Sequence, residues 1–294
     1  MADLPSPRCC KILLATDLGP RCDRALDRAV QLSDETGAEL IAVYVADPAD
    51  TPRHYLDRSR RSWRRLPDPT ERMRWRLRRD LSSVAQKVRV IVEEGNPAEK
   101  LVDIISREDC DMIITGTASP ESLGRMSLGS TVNRVLRGTK APILVVHDRP
   151  RGPYRRIALA TDFSDASVEA LQTVAALFPG ADLTLFHGYD VPFGGIADHD
   201  PADDLRSMEK EMTARFRSDE RIDPALRQHA TVVVEHGSPE AVLGDFVENE
   251  DIDLTVIGSH GRGAVFDALI GSTAKRLVET LESDLLVVHH VERD

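Results

Sequence analysis

The chain has 294 residues, a formal net charge of −11 and 41% apolar residues. At ~150 residues per domain this length favours two domains, the apolar fraction argues against wholesale disorder, and the acidic balance disfavours a general nucleic-acid binder. No window approaches the ~18 continuous apolar residues of a membrane helix. The first ten residues, MADLPSPRCC, lack the apolar segment of a secretory signal. We therefore expect a cytoplasmic protein that does not span a membrane.

The two halves of the sequence repeat the same blocks in the same order. The matched blocks are KILLATD with RIALATD, VIVEEGNPAEKLVDII with VVVEHGSPEAVLGDFV, DMIITG with DLTVIG, and APILVVH with SDLLVVH. Matched blocks lie 142 to 145 residues apart, which indicates one fold used twice. We predict domains at 9–147 and 154–291. The joining segment DRPRGPYRR (148–156) has the proline, glycine and arginine content of a linker.

Short apolar runs alternate with helical patterns along each half. In the first half the predicted strands are Ile12–Ala15, Glu39–Val45, Val88–Val92, Met112–Thr115 and Ile143–Val146. Nearly continuous Val, Ile and Leu strands separated by helices indicate a parallel sheet that is buried on both faces. With right-handed crossovers, the prediction is an α/β fold of two tandem, doubly wound, open parallel five-stranded sheets. Such sheets bind ligands at the carboxyl ends of their strands.

Residues 51–80, between the second and third strands, hold eleven arginines against four acidic residues, together with Trp63 and Trp75. An apolar stripe predicts an amphipathic helix packed on the sheet: Met73, Leu77, Leu81 and Val84. Two interpretations stay open. The arginines of 53–79 form either a solvated face with salt bridges to the acidic second half, or a site for an anionic partner, RNA or an acidic protein.

A capping signal marks the start of the helix that follows the third strand. Asn96 is a good N-cap, Pro97 suits the first turn, and Glu99 can complete a capping box. The second half repeats this start as Ser238-Pro239-Glu240. We expect a helix to begin here in both halves.

The stretch GSHGRGAVFDALIGST, residues 258–273, follows the fourth strand of the second half. It runs from a strand end to a helix N-terminus, where free amides and the positive end of the helix dipole favour a phosphate. Gly258 and Gly261 permit close approach of the backbone, while Ser272 and Thr273 can cap the helix and donate hydroxyl groups. The alternative is a flexible glycine loop with a routine N-cap. The Walker A pattern is absent from the sequence.

Strand one of the second half runs into Ala160-Thr161-Asp162-Phe163-Ser164. Asp162 is expected at the carboxyl end of a central strand, beside the loop that begins at Gly258. There its carboxylate can accept a hydrogen bond from a ribose or base, or help to hold Mg²⁺. The alternative is that Asp162 or Ser164 only caps the next helix.

The chain resembles the universal stress protein family in ATDFSD (160–165), HGSPE (236–240) and the spacing Gly258-x2-Gly261-x9-Gly271-Ser272. The resemblance covers nearly the whole chain, as two tandem family domains. It implies a Rossmann-like strand order of 3-2-1-4-5, ATP with Mg²⁺ held between strands one and four, and dimerisation through the last strand. Two repeats can imitate that dimer within one chain, through Ile143–Val146 and Leu285–Val288, and a further homodimer stays open.

Carried over residue by residue, the resemblance implies an ATP site in the second half. Its phosphates would meet the glycine loop, its ribose and adenine would lie near Ala160 and Asp162, and Gly188, after strand two, would offer a backbone group to adenine. The full set is Ala160, Thr161, Asp162, Gly188, Gly258, Ser259, His260, Gly261, Arg262, Gly271, Ser272 and Thr273.

The first half keeps part of this set, as a weaker candidate site: Asp17, Val45, Gly116, Gly129, Ser130 and Thr131. Ser119 replaces the second glycine, and a non-glycine residue forced into left-handed geometry costs ~1–2 kcal/mol. Pro120 removes an N–H group, and Glu121 adds a negative charge. We therefore predict that the second half binds ATP and that the first half binds it weakly or not at all.

The predicted function is an ATP-binding regulatory module of a stress response, with little or no hydrolysis, because the sequence offers no clear general base. The alternatives are a slow ATP hydrolase and an interaction scaffold that binds no nucleotide. We predict no catalytic residue and no metal site of the protein's own, since the nine histidines show no metal-ligand spacing.

Overall fold

The computed structural model describes residues 9–19, 22–47, 69–81, 88–117, 130–189, 201–258, 276–277, 280–281 and 283–289. The elements in chain order are β1 (Lys11–Ala15), α1 (Cys22–Thr36), β2 (Glu39–Ala46), α2 (Pro69–Asp80), β3 (Val88–Glu94), α3 (Pro97–Glu108), β4 (Met112–Gly116), α4 (Ser130–Gly138), β5 (Ile143–Val146), β6 (Arg156–Ala160), α5 (Asp165–Leu177), β7 (Asp182–Tyr189), α6 (Pro201–Ser218), α7 (Pro224–His229), β8 (Thr231–His236), α8 (Pro239–Asn249), β9 (Leu254–Gly258) and β10 (Asp284–Val288). Across these residues, none of the helices is both long enough and apolar enough to cross a bilayer.

The strands of both halves join in one sheet, in the order β3-β2-β1-β4-β5-β10-β9-β6-β7-β8. Each half therefore has the order 3-2-1-4-5, and neighbouring strands within a half are parallel. This arrangement confirms the predicted fold class. The two predicted five-stranded sheets are not separate, because their last strands pair with each other.

Strands β5 and β10 form the junction between the halves, and they pair antiparallel. Leu144 lies opposite Leu286, and both side chains are fully buried. All the other described pairings are parallel, so the junction is where the chain direction of the sheet reverses. The predicted association of the last strands within one chain is confirmed.

Helices cover the sheet on both faces, as a buried parallel sheet requires. Along β1, Ile12 and Leu14 join the apolar cluster on one face, while Leu13 joins the cluster on the other, because successive strand residues alternate in direction. The first cluster includes residues of α1, α2, α5 and α6. The second includes residues of α3, α4 and α8, together with Leu277 and Leu281.

All the strand limits expected from the apolar runs of the first half lie within two residues of the observed ones. The largest difference is β3, which continues past Val92 to Glu94. Backbone pairing carries the strand on, because Glu93 and Glu94 lie opposite Val45 and Ala46 of β2. Because the last two residues of the strand are charged, the apolar pattern alone does not predict that the strand continues through them.

The amphipathic helix predicted in the arginine-rich segment is α2. Leu77 and Leu81 are buried in the first cluster, and Met73 is half-buried. The helix therefore packs on the sheet as expected. The predicted contact of Val84 and the arginines of 53–68 lie outside the described residues.

All four cysteines carry free thiols, and three of them are buried. Burial is the largest cause that raises the pKa of Cys9 to about 12 and those of Cys22 and Cys110 to about 11. A thiol with so high a pKa is protonated at neutral pH and is a poor nucleophile. These three cysteines therefore serve as small apolar residues in the fold.

Candidate functional site

In the second half, the carboxyl ends of β6 and β9 lie side by side, with Ala160 opposite Ile257. The chain that leaves β6 enters α5, whose Leu171 packs in the first apolar cluster. The chain that leaves β9 leads to Leu277, which packs in the second cluster on the other face. Connections that leave neighbouring strands for opposite faces open a crevice at the switch point of an α/β sheet. This crevice is the candidate site.

A tight turn borders the crevice directly after β6. The Thr161 amide donates to the Phe186 carbonyl at 2.9 Å, which extends the pairing with β7. The Thr161 hydroxyl accepts from the Phe163 amide at 2.9 Å, and Phe163 has a φ of 57°. For a bulky residue this left-handed conformation is strained. The Thr161 hydrogen bond and the burial of the Phe163 ring hold it in place.

The Asp162 carboxylate is fixed by the same turn. Its Oδ1 accepts from the Ser164 amide at 3.0 Å and from the Ser167 hydroxyl at 2.8 Å. Ser164 is the N-cap of α5, and its side chain accepts from the Ser167 amide. The expectation that Ser164 caps the helix is therefore confirmed, and Asp162 has a structural role beside it. A ligand role for Asp162 remains a prediction.

The first half repeats this turn. The Leu18 amide donates to the Thr16 hydroxyl at 3.0 Å, and Leu18 has a φ of 60°. Asp17 Oδ1 accepts from the Gly19 amide at 2.6 Å and from the Cys22 thiol at 3.1 Å. Because the turn belongs to both halves, Asp17 and Asp162 do not distinguish a binding half from a non-binding one.

Gly188 was expected to follow the second strand of its half. It lies instead within that strand, β7, opposite Glu235. A Cβ atom on Gly188 would lie 2.9 Å from Pro239 Cα and 3.0 Å from a methyl of Val242. The start of α8 therefore approaches the strand too closely for any side chain at this position. Val45, at the matching place in the first half, packs at the edge of the second cluster.

The glycines that end the fourth strands are in matching places. Gly258 closes β9 opposite Val288, and Gly116 closes β4 opposite Val146. Ser130 and Thr131 begin α4. The remaining predicted residues lie outside the described part of the chain: Ser259, His260, Gly261, Arg262, Gly271, Ser272 and Thr273 in the second half, and Gly129 in the first.

Beside the crevice, the second half carries an aromatic row that the sequence analysis missed. Phe163 and His187 have ring centroids 5.5 Å apart, His187 and Tyr189 stack at 6.5 Å, and Tyr189 meets His236 edge-on at 5.3 Å. His187 Nδ1 lies 2.7 Å from the Thr161 carbonyl. Since a carbonyl only accepts, Nδ1 must be the donor. The alternating spacing of His187 and Tyr189 on one strand face is the signal that would have revealed the row.

A second missed feature is a pair of aspartates at the opposite ends of the strands. Asp111 Oδ2 accepts from the amides of Cys10 and Lys11 at 2.7 and 2.8 Å. Asp253 Oδ2 accepts from the amides of Arg155 and Arg156, both at 2.9 Å. Their signal was visible as the leading aspartate of DMIITG and DLTVIG. Each aspartate fixes the start of the central strand of its half, which gives it a structural role.

Comparison with known proteins matches both halves to one family. The model of the Universal stress protein family matches residues 10–147 and 153–289. A universal stress protein of Mycolicibacterium smegmatis is 28% identical over 210 residues, which cover 68% of this chain and 68% of that protein. The sequence similarity therefore extends across both halves.

Solved structures share the fold along nearly the whole chain. A putative universal stress protein from Pseudomonas aeruginosa UCBPP-PA14 has a TM-score of 0.65 and 18% identity, and the match covers 97% of this chain and 94% of that one. A universal stress protein from Archaeoglobus fulgidus has a TM-score of 0.63 and 23% identity, with 97% of each chain covered. At these identities the likeness shows the fold alone.

Proposed function

The chain belongs to the universal stress protein family, as a member with two family domains in tandem, and on that premise we propose that it is an ATP-binding regulatory module. The second half holds the nucleotide, and the first half binds it weakly or not at all. Hydrolysis is slow or absent. The bound nucleotide acts through a change of conformation or through a partner of the protein.

The observation that carries this proposal is the crevice between β6 and β9. Gly258 ends β9 opposite Val288 of β10, and the turn of Asp162 borders the crevice from β6. The sequence that continues from Gly258 has the glycine spacing Gly258-x2-Gly261-x9-Gly271-Ser272 and ends in Ser272-Thr273 before a predicted helix. Backbone amides and hydroxyl groups in that arrangement suit a chain of phosphates.

The proposed roles follow from the chemistry of each group. The amides from Gly258 to Gly271 and the hydroxyls of Ser272 and Thr273 bind phosphate oxygens. Asp162 accepts from the ribose, and backbone groups near Ala160 and Gly188 meet the adenine. Mg²⁺ enters with the nucleotide, since this hard cation prefers phosphate and carboxylate oxygens, and it neutralises the triphosphate charge.

Slow hydrolysis is supported by how the Asp162 carboxylate is engaged at the crevice. Its Oδ1 already accepts two hydrogen bonds within its own turn. A general base must be able to reach and orient the attacking water. This carboxylate is instead fixed as a part of the fold.

The proposed difference in ATP binding between the two halves is supported by their glycine loops and not by the Asp17 and Asp162 turns. The Asp17 and Asp162 turns have the same hydrogen-bond pattern. The glycine loop of the first half differs, because it carries Ser119, Pro120 and Glu121 where the second half carries Gly261 and its neighbours. The missing amide, the added carboxylate and the constrained backbone each weaken phosphate binding in the first half.

The interaction scaffold is a second candidate, favoured by the continuous sheet. Because β5 and β10 already pair within the chain, the last-strand contact of the family is occupied internally. A homodimer of this chain would therefore use another surface. A scaffold of this kind requires no nucleotide.

Mass spectrometry of the nucleotide that co-purifies with the full chain separates the candidates. ATP in the purified protein, without turnover on incubation with Mg²⁺, supports the regulatory module. ADP together with steady phosphate release supports a slow hydrolase. An empty protein that also fails to take up added Mg-ATP supports the scaffold and contradicts the proposal.

A further inference from the structure

Helix α2 presents an aromatic residue to solvent between two arginines. Trp75 is 64% exposed, and it is the one large apolar side chain exposed to this degree within the described residues. Arg72 and Arg79 are also exposed, and they lie three residues before and four residues after Trp75. Side chains at this spacing share one face of a helix. We call Arg72, Trp75 and Arg79 the outer stripe of α2.

The outer stripe lies opposite the face that holds the helix on the sheet. Leu77 and Leu81 are buried at 1% and 0%, and the helix is fixed to the protein through them. The Arg76 guanidinium donates to the Leu18 carbonyl at 3.0 Å, which fixes one side of the helix. The outer stripe is therefore displayed on a packed helix.

The charge of α2 contrasts with that of the whole chain. The sequence PTERMRWRLRRD has five arginines and two acids, whereas the chain carries −11. Arg74 pairs with Glu71 and Arg79 with Asp80, both within the helix. In the part of the chain that the structure describes, no ion pair joins α2 to the second half. The interpretation of these arginines as an interdomain salt-bridge surface is therefore unsupported there.

The exposed Trp75 ring can stack against a planar group of a ligand. The Arg79 guanidinium lies 5.1 Å from the ring centroid, within the range of a cation–π contact. An exposed indole next to guanidinium groups offers flat surfaces for bases and positive charge for phosphates. Proteins that bind single strands combine these two features.

We propose that the outer stripe of α2 binds single-stranded nucleic acid, with a base stacked on Trp75 and phosphates bound by Arg72 and Arg79. An acidic peptide would pair with the arginines but would leave the indole ring without a stacking partner. A duplex would offer phosphates while keeping its bases stacked on each other. An unpaired strand uses both the ring and the charges, so it fits the stripe best.

Fluorescence anisotropy of a labelled twelve-nucleotide oligouridylate tests this proposal on the full chain. We expect binding that weakens with added salt. Trp75→Ala should lower the affinity about tenfold, in line with the measured effect of one stacked base, and Trp75→Phe should restore most of it. The charge reversal Arg72→Glu/Arg79→Glu should lower affinity at least as much and reduce the salt dependence.

The matched control is Arg137→Glu/Arg151→Glu, which changes the net charge equally at two exposed arginines away from α2. It should change the affinity less than threefold. Equal losses in both charge-reversed variants, or an affinity that does not respond to Trp75→Ala, would overturn the proposal. Tighter and Trp75-dependent binding of a twelve-residue polyglutamate would also overturn it and would indicate an acidic protein partner.

Discussion

Arg28 of α1 and Asp284 of β10 form a buried ion pair between the two halves, with Arg28 Nε 3.3 Å from Asp284 Oδ2 and side-chain exposures of 5% and 1%. Asp284 also accepts from the Tyr154 hydroxyl at 2.5 Å and from the His147 amide at 2.8 Å. The Arg28 guanidinium lies 4.0 Å from the Tyr154 ring centroid. The linker and both halves therefore meet at one carboxylate.

Removing this carboxylate should strongly destabilise the protein. Asp284→Ala leaves the buried Arg28 charge without its partner, and such a change costs about 3–5 kcal/mol. The free energy of unfolding in urea is the measurement. The double variant Arg28→Met/Asp284→Leu should recover only part of the loss, because it removes both buried charges but leaves the Tyr154 hydroxyl and the His147 amide without their acceptor.

The exposed pair of Arg156 and Asp251, at 3.2 Å and with exposures of 50% and 83%, is the control for that experiment. Exposed pairs contribute about 0–1 kcal/mol. Asp251 has a φ of 47°, a conformation that asparagine tolerates better than alanine, so Asp251→Asn should change stability little. Equal losses for Asp251→Asn and Asp284→Ala would show that burial of the interdomain pair is unimportant.

The Tyr154 phenol should resist ionisation in the folded protein. Burial, with a further contribution from the Asp284 charge, raises the pKa of Tyr154 well above its usual value of 10.0. Because the folded state favours the neutral phenol, this group stabilises the fold fully below pH ~10, and the contribution is lost as the pH rises beyond that value. The native phenolate absorbance of wild type and Tyr154→Phe should coincide up to the alkaline unfolding transition. A larger native signal in the wild type near pH ~10 would contradict the raised pKa.

Gly188 is predicted to tolerate no side chain. In Gly188→Ala the new Cβ would approach Pro239 Cα to 2.9 Å, and overpacking of this kind costs about 1–3 kcal/mol. Gly244 lies in the adjoining helix α8, where an added Cβ atom would meet nothing within 4 Å. Gly244→Ala should therefore be neutral or stabilising by up to about 1 kcal/mol. Urea unfolding distinguishes the two, and equal effects would contradict the close approach of α8.

The two repeated helix starts are predicted to differ in strength. Asn96 accepts from the Ala98 and Glu99 amides, and loss of such an N-cap costs about 0.5–2 kcal/mol. Ser238 makes no side-chain cap bond, and its hydroxyl donates to Glu240 at 2.7 Å instead. Asn96→Ala should therefore lower the free energy of unfolding more than Ser238→Ala, and the reverse order in matched unfolding experiments would refute the assignment.

The repeat and its strand order could be predicted from sequence because the matched blocks carry the buried strands themselves. KILLATD and RIALATD become β1 and β6, whose central residues are fully buried. The association of the last strands was also predictable, since Ile143–Val146 and its counterpart Leu285–Val288 are apolar throughout. The pattern of apolar residues predicts which positions are buried, and burial determines where these strands form.

What the sequence could not supply depends on contacts between distant residues. Asp284 has Pro142 as its counterpart in the first half, so the repeat itself gave no hint of the buried pair with Arg28. The repeat also gave no sign that Pro239 approaches Gly188 so closely that a Cβ atom would not fit there. The ATP loop stays a prediction, because Ser259–Lys275 lies outside the described residues.

Isothermal titration of the nucleotide-free chain with Mg-ATP tests the central claim most directly. We predict one ATP bound per chain. Gly261→Ser, which gives the second loop the residue of the first, should abolish or greatly weaken that binding, while Ser119→Gly in the first half should leave it in place. Two equivalent sites per chain, or unchanged binding in Gly261→Ser, would contradict the account.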